Sequence, residues 1–416
     1  MKKLFFALTA ACTIFAGCSN DEPDLENTDE IPDKTTVLPM PGMTQAETLA
    51  ANGQIAFGTD FFAAVSREYP RKNVVTSPMS ASMLLSMLAN AADATTRAQI
   101  CTLLDCTDSD ALNSLYGKYT EWLSGIDENL SISLANALWY RQEYTLNPAF
   151  SKILNSYYDS ETFGRDFSNK ASLIDEINKW TDLKTRGIID HIIDDLDPDT
   201  KAVLANALYF KGSWRNGFDA ENTRKANFHG IDGDAKVDMM NTTEYFSYAS
   251  AYAFEAVEMA YGLYGQCYMT IIMPKKGSNL DEFIASADFR SAATTAMKSR
   301  YIDLSIPKFS VRPDERIALN SILATMGVDN IESENNWTFF TDAIETRIKV
   351  YQKAGITVDE YGTEAAAVTW TEGETSSGYE VVLPTPIEVR IDRPFVFLIR
   401  ERSTGMCLFA GKVNNL

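Results

Sequence analysis

The side chains that most often carry out catalysis or bind metals are few and scattered in this chain. His191 and His229 are its only histidines. A cage of three or more histidines around a metal is therefore excluded, and any Ser-His-Asp arrangement must use one of these two rings. The sequence contains no G-x-S-x-G, H-E-x-x-H, G-x-x-x-x-G-K-[ST] or C-x-x-C motif. We therefore expect a protein that is not an enzyme and that needs no metal or cofactor.

Residues 1–17 have the pattern of an export signal, with a basic start, an apolar run and small residues at its end. Because Cys18 directly follows Ala16-Gly17, the segment resembles a bacterial lipoprotein signal, which implies cleavage before Cys18 and lipid attachment to it. An ordinary secretory signal with an incidental cysteine is the alternative. The resemblance implies a bacterial outer-membrane lipoprotein that is periplasmic or exposed on the cell surface.

Residues 18–44 begin with an acidic stretch that has few apolar side chains, and they are predicted to form a disordered tether. The stretch also resembles the surface-export signal of some Gram-negative lipoproteins, and a plain solvated linker is the alternative. No later stretch reaches the roughly 20 apolar residues that a bilayer span requires. The mature protein is therefore expected to contact the membrane through a lipid at Cys18.

Four cysteines remain after Cys12 and Cys18, namely Cys101, Cys106, Cys267 and Cys407. Four scattered thiols in a domain of this size do not form a disulfide framework. Cys101 and Cys106 lie five residues apart on a predicted helix, where this spacing places them on different faces. Free thiols are therefore expected.

The composition is that of an acidic globular protein. The chain has 416 residues, and its 37 Lys and Arg against 57 Asp and Glu give a net charge of −20. Nucleic acid is thereby disfavoured as a partner, because binding phosphates requires basic surface. With 45% hydrophobic residues the chain can bury a large core. Because residues 45–416 contain no flexible linker and no repeat, they are predicted to form one domain, expected to be monomeric.

Helical patterns are concentrated in the first half of the chain and strand patterns in the second. Residues 77–90 are apolar at helical spacing after a Ser-Pro start, and residues 174–187 form a helical pattern that ends in Gly. The predicted strands are 131–140, 202–210, 267–273, 301–309, 387–391, 395–399 and 406–413, with a polar turn at 401–405. This order predicts an α+β fold with mostly antiparallel sheets.

Several characteristic segments follow one another along the chain. The most specific is LANALYFKGSW at 204–214. The others are NVVTSPMS at 73–80, LANALW at 134–139, INKW at 177–180, TRGI at 185–188, IPKF at 306–309, EYGTEAAA at 360–367 and RPFVF at 393–397. Together and in this order, these segments resemble the serpin family of serine protease inhibitors, and the resemblance covers essentially everything after the tether. It implies the serpin fold, with about nine helices, three mostly antiparallel sheets and an exposed reactive loop at about 360–386.

The function that the resemblance implies is inhibition as a suicide substrate. A target protease cleaves the reactive loop and forms an acyl bond to it, and the released arm then inserts as a strand into the central sheet. The target protease, held in a covalent complex, is therefore the expected partner. The hinge implied is Glu360, Gly362, Thr363, Glu364, Ala365, Ala366, Ala367, Val368 and Thr369.

The hinge residues themselves support insertion. Small side chains alternate from Thr363 through Gly373, whereas most of the charge and bulk, including Trp370, occupies the positions between them. Because a strand has a period of two, one face of this segment carries only small side chains, which can enter a packed sheet without overpacking its core. A low-complexity surface loop is the alternative interpretation.

A sheet-opening region is also implied by the resemblance, comprising Ser77, Asn206, Trp214, Lys308 and Gln352. The resemblance also implies a salt bridge between Lys308 and Glu360 at the point where insertion starts. Gln352 occupies a position where many serpins carry His, and its amide can still hydrogen-bond to Ser77 or Asn206. Trp214 is expected to pack beneath the start of insertion, with an ordinary core Trp as the alternative.

The position of the scissile bond stays open. Counting forward from the hinge places it near Ser376 and Ser377, whereas counting back from Pro394 places it near Leu383. Side-chain chemistry favours Tyr379, Val381 or Val382. Since there is no Lys or Arg between residues 363 and 389, a trypsin-like target is disfavoured.

The remaining targets are elastase-, chymotrypsin- or subtilisin-like serine proteases and papain-like cysteine proteases.

Two other functions stay open. One is a non-inhibitory serpin that acts as a binding or chaperone-like module, and the other is an anchored hydrolase.

Overall fold

The described part of the chain is an α+β structure, as the sequence predicts. The computed structural model describes residues 38–312, 316–331, 337–342, 346, 348–363 and 383–416. Cys18 and residues 364–382 lie outside these ranges. Within them, the helices are α1 (Gln45–Glu68), α2 (Pro78–Ala89), α3 (Ala94–Leu103), α4 (Ser109–Ser124), α5 (Pro148–Tyr158), α6 (Lys170–Lys184), α7 (Leu280–Ile284), α8 (Ala287–Thr294) and α9 (Asn320–Thr325), with a 3₁₀ turn at Ala220–Asn222.

The first two helices begin at residues that the local sequence specifies. Thr44 and Glu47 form a capping box at the start of α1, in which each side chain accepts a hydrogen bond from the other residue's backbone N–H. Ser77 caps α2 by accepting from the N–H of Ser80, and Pro78 occupies the first helical position, where no N–H is needed. The helix predicted at 77–90 therefore begins where its Ser-Pro pair indicates.

Seventeen strands form three sheets in the described residues. The strands are β1 (Val74–Thr76), β2 (Leu130–Arg141), β3 (Glu161–Arg165), β4 (Ala202–Ser213), β5 (Arg224–Gly230), β6 (Gly233–Ser250), β7 (Phe254–Tyr261), β8 (Cys267–Pro274), β9 (Lys298–Pro307), β10 (Phe309–Val311), β11 (Ile317–Ala318), β12 (Tyr351–Gln352), β13 (Ile356–Asp359), β14 (Gly362–Thr363), β15 (Ile387–Arg390), β16 (Phe395–Glu401) and β17 (Cys407–Val413).

The sheets are almost entirely antiparallel, which confirms the prediction. The central sheet has six strands in the order β10-β13-β14-β4-β2-β3. A nine-stranded sheet runs β1-β17-β16-β8-β7-β6-β9-β15 with β5 paired to β6, and β11 pairs with β12. Only β2 with β3 and β15 with β9 are parallel among these pairings.

The central sheet is covered on both faces. On one face lies α6, where Ile177 and Trp180 pack with Trp139 of β2 and the ring centroids of the two Trp side chains are 5.4 Å apart. On the other face, Leu208 and Phe210 of β4 belong to the main hydrophobic core, which also contains α2. Alternate residues of β4 thus face different layers, as the period of a strand requires.

Four features differ from the sequence predictions. The strand predicted at 301–309 is divided at Lys308 into β9 and β10, which belong to different sheets. The tether predicted to reach residue 44 packs on the domain at its described end, where Met40 is 7% exposed. The long helix α1 and the strands β5, β6 and β7 were not predicted at all, because their apolar positions are interrupted by polar residues.

The fourth difference concerns Cys101 and Cys106, which do not lie on different faces of one helix. The helix α3 ends at Leu103, and Asp105 has a left-handed backbone with φ 48°. The chain therefore reverses direction before Cys106. Both thiols are free, as expected.

None of the helices in the described ranges is both long enough and apolar enough to cross a bilayer.

Candidate functional site

The hinge begins inside the central sheet. After β13, the chain turns at Glu360 and returns as β14, which lies between β13 and β4 and is antiparallel to both. Thr363 is paired with Val358 on one side and with Gly212 on the other. The exposed loop predicted at about 360–386 therefore does not start at residue 360, because Gly362 and Thr363 are already buried strand residues.

Gly362 occupies a position that only glycine fits. Its φ is 149°, a region that side chains disfavour. A Cβ at this position would also overlap the carbonyl oxygen of Gly212 on β4. The close approach of the two backbones thus depends on the absence of a side chain at residue 362.

The buried side chain of Thr363 is bonded to Tyr261. The Thr363 Oγ1 and the Tyr261 hydroxyl lie 2.5 Å apart, and the Thr363 side chain is 2% exposed. The Tyr261 ring stacks on Trp214 with centroids 4.2 Å apart. Burial raises the pKa of Tyr261 well above its usual value, so that its hydroxyl stays protonated and can bond to Thr363.

Trp214 fixes the turn that leads into β14. Its backbone N–H donates to the carbonyl of Tyr361 at 2.9 Å, and its Nε1–H donates to the carbonyl of Asp359 at 2.9 Å. Trp214 therefore packs against the turn between β13 and β14, next to the residues where insertion is predicted to start. Tyr261 was not expected, because it is the last residue of β7 and no local pattern distinguishes it from other strand tyrosines.

Glu360 and Lys308 form the ion pair expected from the sequence. The Lys308 Nζ lies 2.7 Å from a carboxylate oxygen of Glu360, and Thr223 Oγ1 donates to the other oxygen at 2.8 Å. The Glu360 side chain is 7% exposed, whereas that of Lys308 is 40% exposed. Burial opposes ionisation of Glu360, but the hydrogen bonds and positive charge of Lys308 outweigh it and lower the pKa of the carboxyl.

Removing the charge of Glu360 is expected to weaken the native state most above pH 4.5. Because the folded-state pKa of Glu360 lies below its ordinary value of 4.5, the pair stabilises fully above that pH and its contribution is lost as pH falls through the lowered pKa. Glu360→Gln should cost about 1 kcal/mol at pH 7, since water screens the exposed Lys308. Urea denaturation of both proteins at several pH values measures the difference.

The double variant Glu360→Lys with Lys308→Glu is the matched control, because it exchanges the charges and should recover most of the loss. A difference between Glu360→Gln and the unmodified protein that persists unchanged at pH 3 would contradict this assignment.

Gln352 of β12 forms hydrogen bonds to the end of β1 and the start of α2. Its side-chain oxygen accepts from the Ser77 N–H at 3.0 Å and from the Thr76 hydroxyl, and its Nε2 donates to the Ser77 carbonyl at 2.7 Å. Gln352 is 4% exposed. Of the two partners expected for it, Ser77 is therefore the one that Gln352 contacts.

Truncating Gln352 is expected to destabilise the protein by about 2 to 4 kcal/mol. Gln352→Ala leaves the buried N–H of Ser77 and the Thr76 hydroxyl without this partner, at about 1 to 3 kcal/mol for each unsatisfied group. The Ser77 carbonyl still accepts from the Ala81 N–H. The shift of the urea midpoint measures the loss. Gln352→His is the control, since a ring that can donate and accept should retain most of the stability, and equal losses in both variants would refute the role of the hydrogen bonds.

Asn206 belongs to a separate hydrogen-bond group. Its Nδ2 donates to Asn136 Oδ1 at 2.7 Å and contacts the sulfur of Met83 at 3.3 Å. The Oδ1 of Asn206 is buried and has no hydrogen-bond partner among the residues that the structure describes. The five residues predicted for the sheet-opening region therefore lie in three places. Gln352 contacts Ser77, Trp214 and Lys308 lie next to the hinge, and Asn206 belongs to a separate hydrogen-bond group on β4.

The remaining predicted site residues cannot be placed. Outside the described ranges lie Cys18, Glu364, Ala365, Ala366, Ala367, Val368, Thr369, Ser376, Ser377, Tyr379, Val381 and Val382. Leu383, the last of the predicted scissile positions, is 50% exposed and precedes β15.

The fold and the hinge together define a class of protein. The chain continues from β13 into the short strand β14, which lies between β13 and β4 in the central sheet, and residues 364–382 follow β14 in the sequence. Insertion of a loop as a strand into a protein's own sheet is a known mode of conformational change.

The comparison with known families names that class. The family model described as Serpin (serine protease inhibitor) matches residues 52–416, and the chain belongs to the serpin family. Members of this family are generally protease inhibitors, although some are not.

Individual relatives span nearly the whole chain. An uncharacterized serpin-like protein of Methanosarcina acetivorans is 28% identical over 99% of this chain and 96% of its own length. Human thyroxine-binding globulin is 29% identical over 90% of this chain and 91% of its own length. The crystal structure of Serpin48, a highly specific serpin of the insect Tenebrio molitor, covers 90% of this chain and 100% of that one, with a TM-score of 0.78 and 25% identity.

Proposed function

We propose that this protein is a suicide-substrate inhibitor of proteases. The target's nucleophile attacks the carbonyl of the scissile peptide, forms an acyl-enzyme and releases the new amino terminus. The arm that ends in the acyl bond then inserts between β13 and β4 and traps the protease. The observation that carries this proposal is the position of Gly362 and Thr363, which form the first two residues of such an inserted strand.

The register of β14 supports an inserted arm of about ten further residues. Because Thr363 pairs with Gly212 and the strands are antiparallel, each residue added after Thr363 lies opposite one residue earlier in β4. Gly373 would then lie opposite Ala202, the first residue of β4. In this register the small-residue positions from Thr363 to Gly373 would extend along β4 as far as its first residue.

The same register directs the small face of the arm into the main core. Ala365 and Ala367 would lie opposite Phe210 and Leu208, which belong to that core. Thr369 would lie opposite Asn206, whose Oδ1 has no hydrogen-bond partner among the described residues. A threonine hydroxyl at this point can donate to that oxygen, so that insertion would satisfy a buried acceptor.

The bulky face of the arm would point to the layer of α6. Glu364 would lie opposite Lys211, which gives opposite charges on neighbouring strands, and Trp370 would lie opposite Ala205. Ala205 packs in the cluster that contains Trp139 and Trp180, which are aromatic like the incoming residue. Both faces of the arm are thus compatible with the surfaces that would receive them.

The proposed targets are proteases that cleave after aromatic or aliphatic side chains. The candidates for the cleaved bond are those given above, from Ser376 to Leu383, and no Lys or Arg lies between residues 363 and 389. Elastase-, chymotrypsin- and subtilisin-like serine proteases and papain-like cysteine proteases are therefore the classes to test, with trypsin as the negative control.

A non-inhibitory binding function is the second candidate. It is favoured by the similarity to human thyroxine-binding globulin, a solved structure of which is a complex with thyroxine. The small-residue alternation after Thr363 favours inhibition, because a binding module does not need a loop that fits its own sheet.

Incubation with one protease of each class tests the proposed function. An inhibitor gives a band on a denaturing gel that contains both chains, and mass spectrometry of the released C-terminal peptide identifies the scissile bond. Complete cleavage by every protease without such a complex would favour the binding function instead.

We also propose that Cys18 carries the lipid that attaches the protein to the outer membrane, facing the periplasm or the cell surface. The support is the sequence pattern of residues 1–18 and the acidic stretch that follows it. Cys18→Ser is expected to move the protein from the membrane fraction to the soluble fraction after export, and an unchanged distribution would contradict the anchor.

A further inference from the structure

The turn that follows α3 brings two cysteines together. The N–H of Cys106 donates to the carbonyl of Cys101 at 3.0 Å, and the N–H of Asp105 donates to the carbonyl of Thr102 at 3.3 Å. With the left-handed backbone of Asp105, these two bonds form a Schellman motif. In this motif the residues in the positions of Cys101 and Cys106 contact each other, and here both are cysteines.

The two side chains meet at the edge of the core. They lie close enough for each thiol to shift the pKa of the other, which lowers the pKa of Cys101 and raises that of Cys106. Cys101 is 9% exposed, whereas Cys106 is half-buried and therefore accessible from solvent. The other two described cysteines, Cys267 and Cys407, are buried.

The turn is fixed by its contact with α1. Gln54 donates from Nε2 to the carbonyl of Leu104 at 3.2 Å, and Gln54 is itself 3% exposed. Gly53 lies so close that a Cβ on it would be 2.5 Å from the same carbonyl oxygen and 2.8 Å from the Cβ of Asp105. Because α1 constrains the turn, Cys101 and Cys106 are held near each other in the native state.

We propose that Cys101 and Cys106 are a redox pair that forms an intrachain disulfide across the end of α3. The inference rests on the turn and on the contact of the thiols, and it does not depend on the inhibitory function. Disulfide formation requires two cysteines whose side chains already point at each other, which the Schellman motif supplies. No group of three or more His, Cys, Asp or Glu side chains suited to a metal is present in the described ranges, so the pair has no metal-binding alternative there.

The reaction is thiol–disulfide exchange with an external disulfide. The hydrogen bond from Cys106 lowers the pKa of Cys101, and the same hydrogen bond together with burial raises the pKa of Cys106. The Cys101 thiolate attacks the external disulfide, forms a mixed disulfide and expels one thiolate. Cys106 then loses its proton and attacks the Cys101 sulfur, which expels the second thiolate. The two protein thiols are oxidised, and the external disulfide is reduced to two thiols.

Oxidised and reduced glutathione in defined ratios, added to the full chain, provide the test. Both cysteines lie between Arg97 and Lys118, so one tryptic peptide, residues 98–118, contains the pair. In oxidising buffer we expect this peptide to be about 2 Da lighter from the loss of two hydrogens and to take up no iodoacetamide. Reduction should restore two alkylation sites.

The folded state should favour the disulfide. The same titration in concentrated urea is expected to require an at least roughly tenfold more oxidising glutathione ratio for half-formation, because the turn no longer holds the thiols together. In Cys106→Ser, Cys101 should remain alkylatable or carry glutathione. Circular dichroism of this variant verifies that it is folded.

Two results would overturn the proposal. One is a native peptide 98–118 that keeps two alkylatable thiols, or carries only glutathione, in fully oxidising buffer. The other is an equal tendency to form the disulfide in native protein and in urea, which would show that the fold contributes nothing to the pair.

Discussion

Thr363→Arg is expected to abolish the covalent protease complex and to convert the protein into a substrate. Thr363 is 2% exposed, bonded to Tyr261, and lies at the start of the face that enters the main core. An arginine there must either be buried without a partner, at several kcal/mol, or keep β14 out of the sheet. Because each 1.4 kcal/mol changes a rate about tenfold, insertion would become slower than hydrolysis of the acyl-enzyme.

The measured quantity is the number of inhibitor molecules consumed for each protease molecule inhibited, which we expect to rise more than about tenfold. Thr363→Ser should behave like the unmodified protein, since it keeps the hydroxyl that contacts Tyr261. Tyr361→Arg is the charge-matched control, because Tyr361 is 36% exposed and outside β14. An unchanged stoichiometry in folded Thr363→Arg would show that residue 363 does not enter the sheet during inhibition.

Cleavage of the loop is expected to raise the melting temperature by roughly 10 to 15 °C, from about ten added ladder hydrogen bonds at ~1 kcal/mol each. That gain is comparable with the whole stability of a typical domain, of about 5 to 15 kcal/mol. If the proposed function holds, the intact protein is a kinetically trapped, metastable state.

Thermal unfolding followed by circular dichroism, before and after limited proteolysis in the loop, measures this shift. Cleaved Thr363→Arg should show a much smaller rise, because its arm cannot fill the gap between β13 and β4. If cleaved and intact protein melt at the same temperature, the arm stays outside the sheet, and the non-inhibitory function becomes the better proposal.

Much of the architecture is specified by short-range patterns. The Ser-Pro pair before α2 and Gly187 with its φ of 85° after α6 mark helix ends through capping and left-handed backbone, which are properties of a few adjacent residues. The alternation of small residues after Thr363 is likewise readable, because the period of a strand is fixed by backbone geometry. The segments that resemble serpins gave the fold and the pairing of Glu360 with Lys308.

Contacts between distant parts of the chain could not be predicted from such local sequence patterns. Nothing in the sequence around Tyr261 indicates that its hydroxyl meets Thr363, which is 102 residues away. The choice of Ser77 and not Asn206 as the partner of Gln352 also depends on where the start of α2 and the strands β4 and β12 place their side chains. These contacts are decided by tertiary packing, in which a side chain pairs with whatever polar group the fold leaves beside it.

Cys101 and Cys106, at the end of α3, also show what a sequence pattern predicts and what it misses. Their spacing of five suggests opposite helix faces as long as the helix is assumed to continue, but the left-handed Asp105 ends it and returns Cys106 to Cys101. The sequence by itself determined the family, many of the elements and the small face of the hinge, because backbone periodicity and local capping depend on adjacent residues. Only the tertiary structure decided that the hinge starts inside the sheet, that Tyr261 and Trp214 hold it there and that two thiols meet, because these depend on which surfaces the folded chain brings within contact.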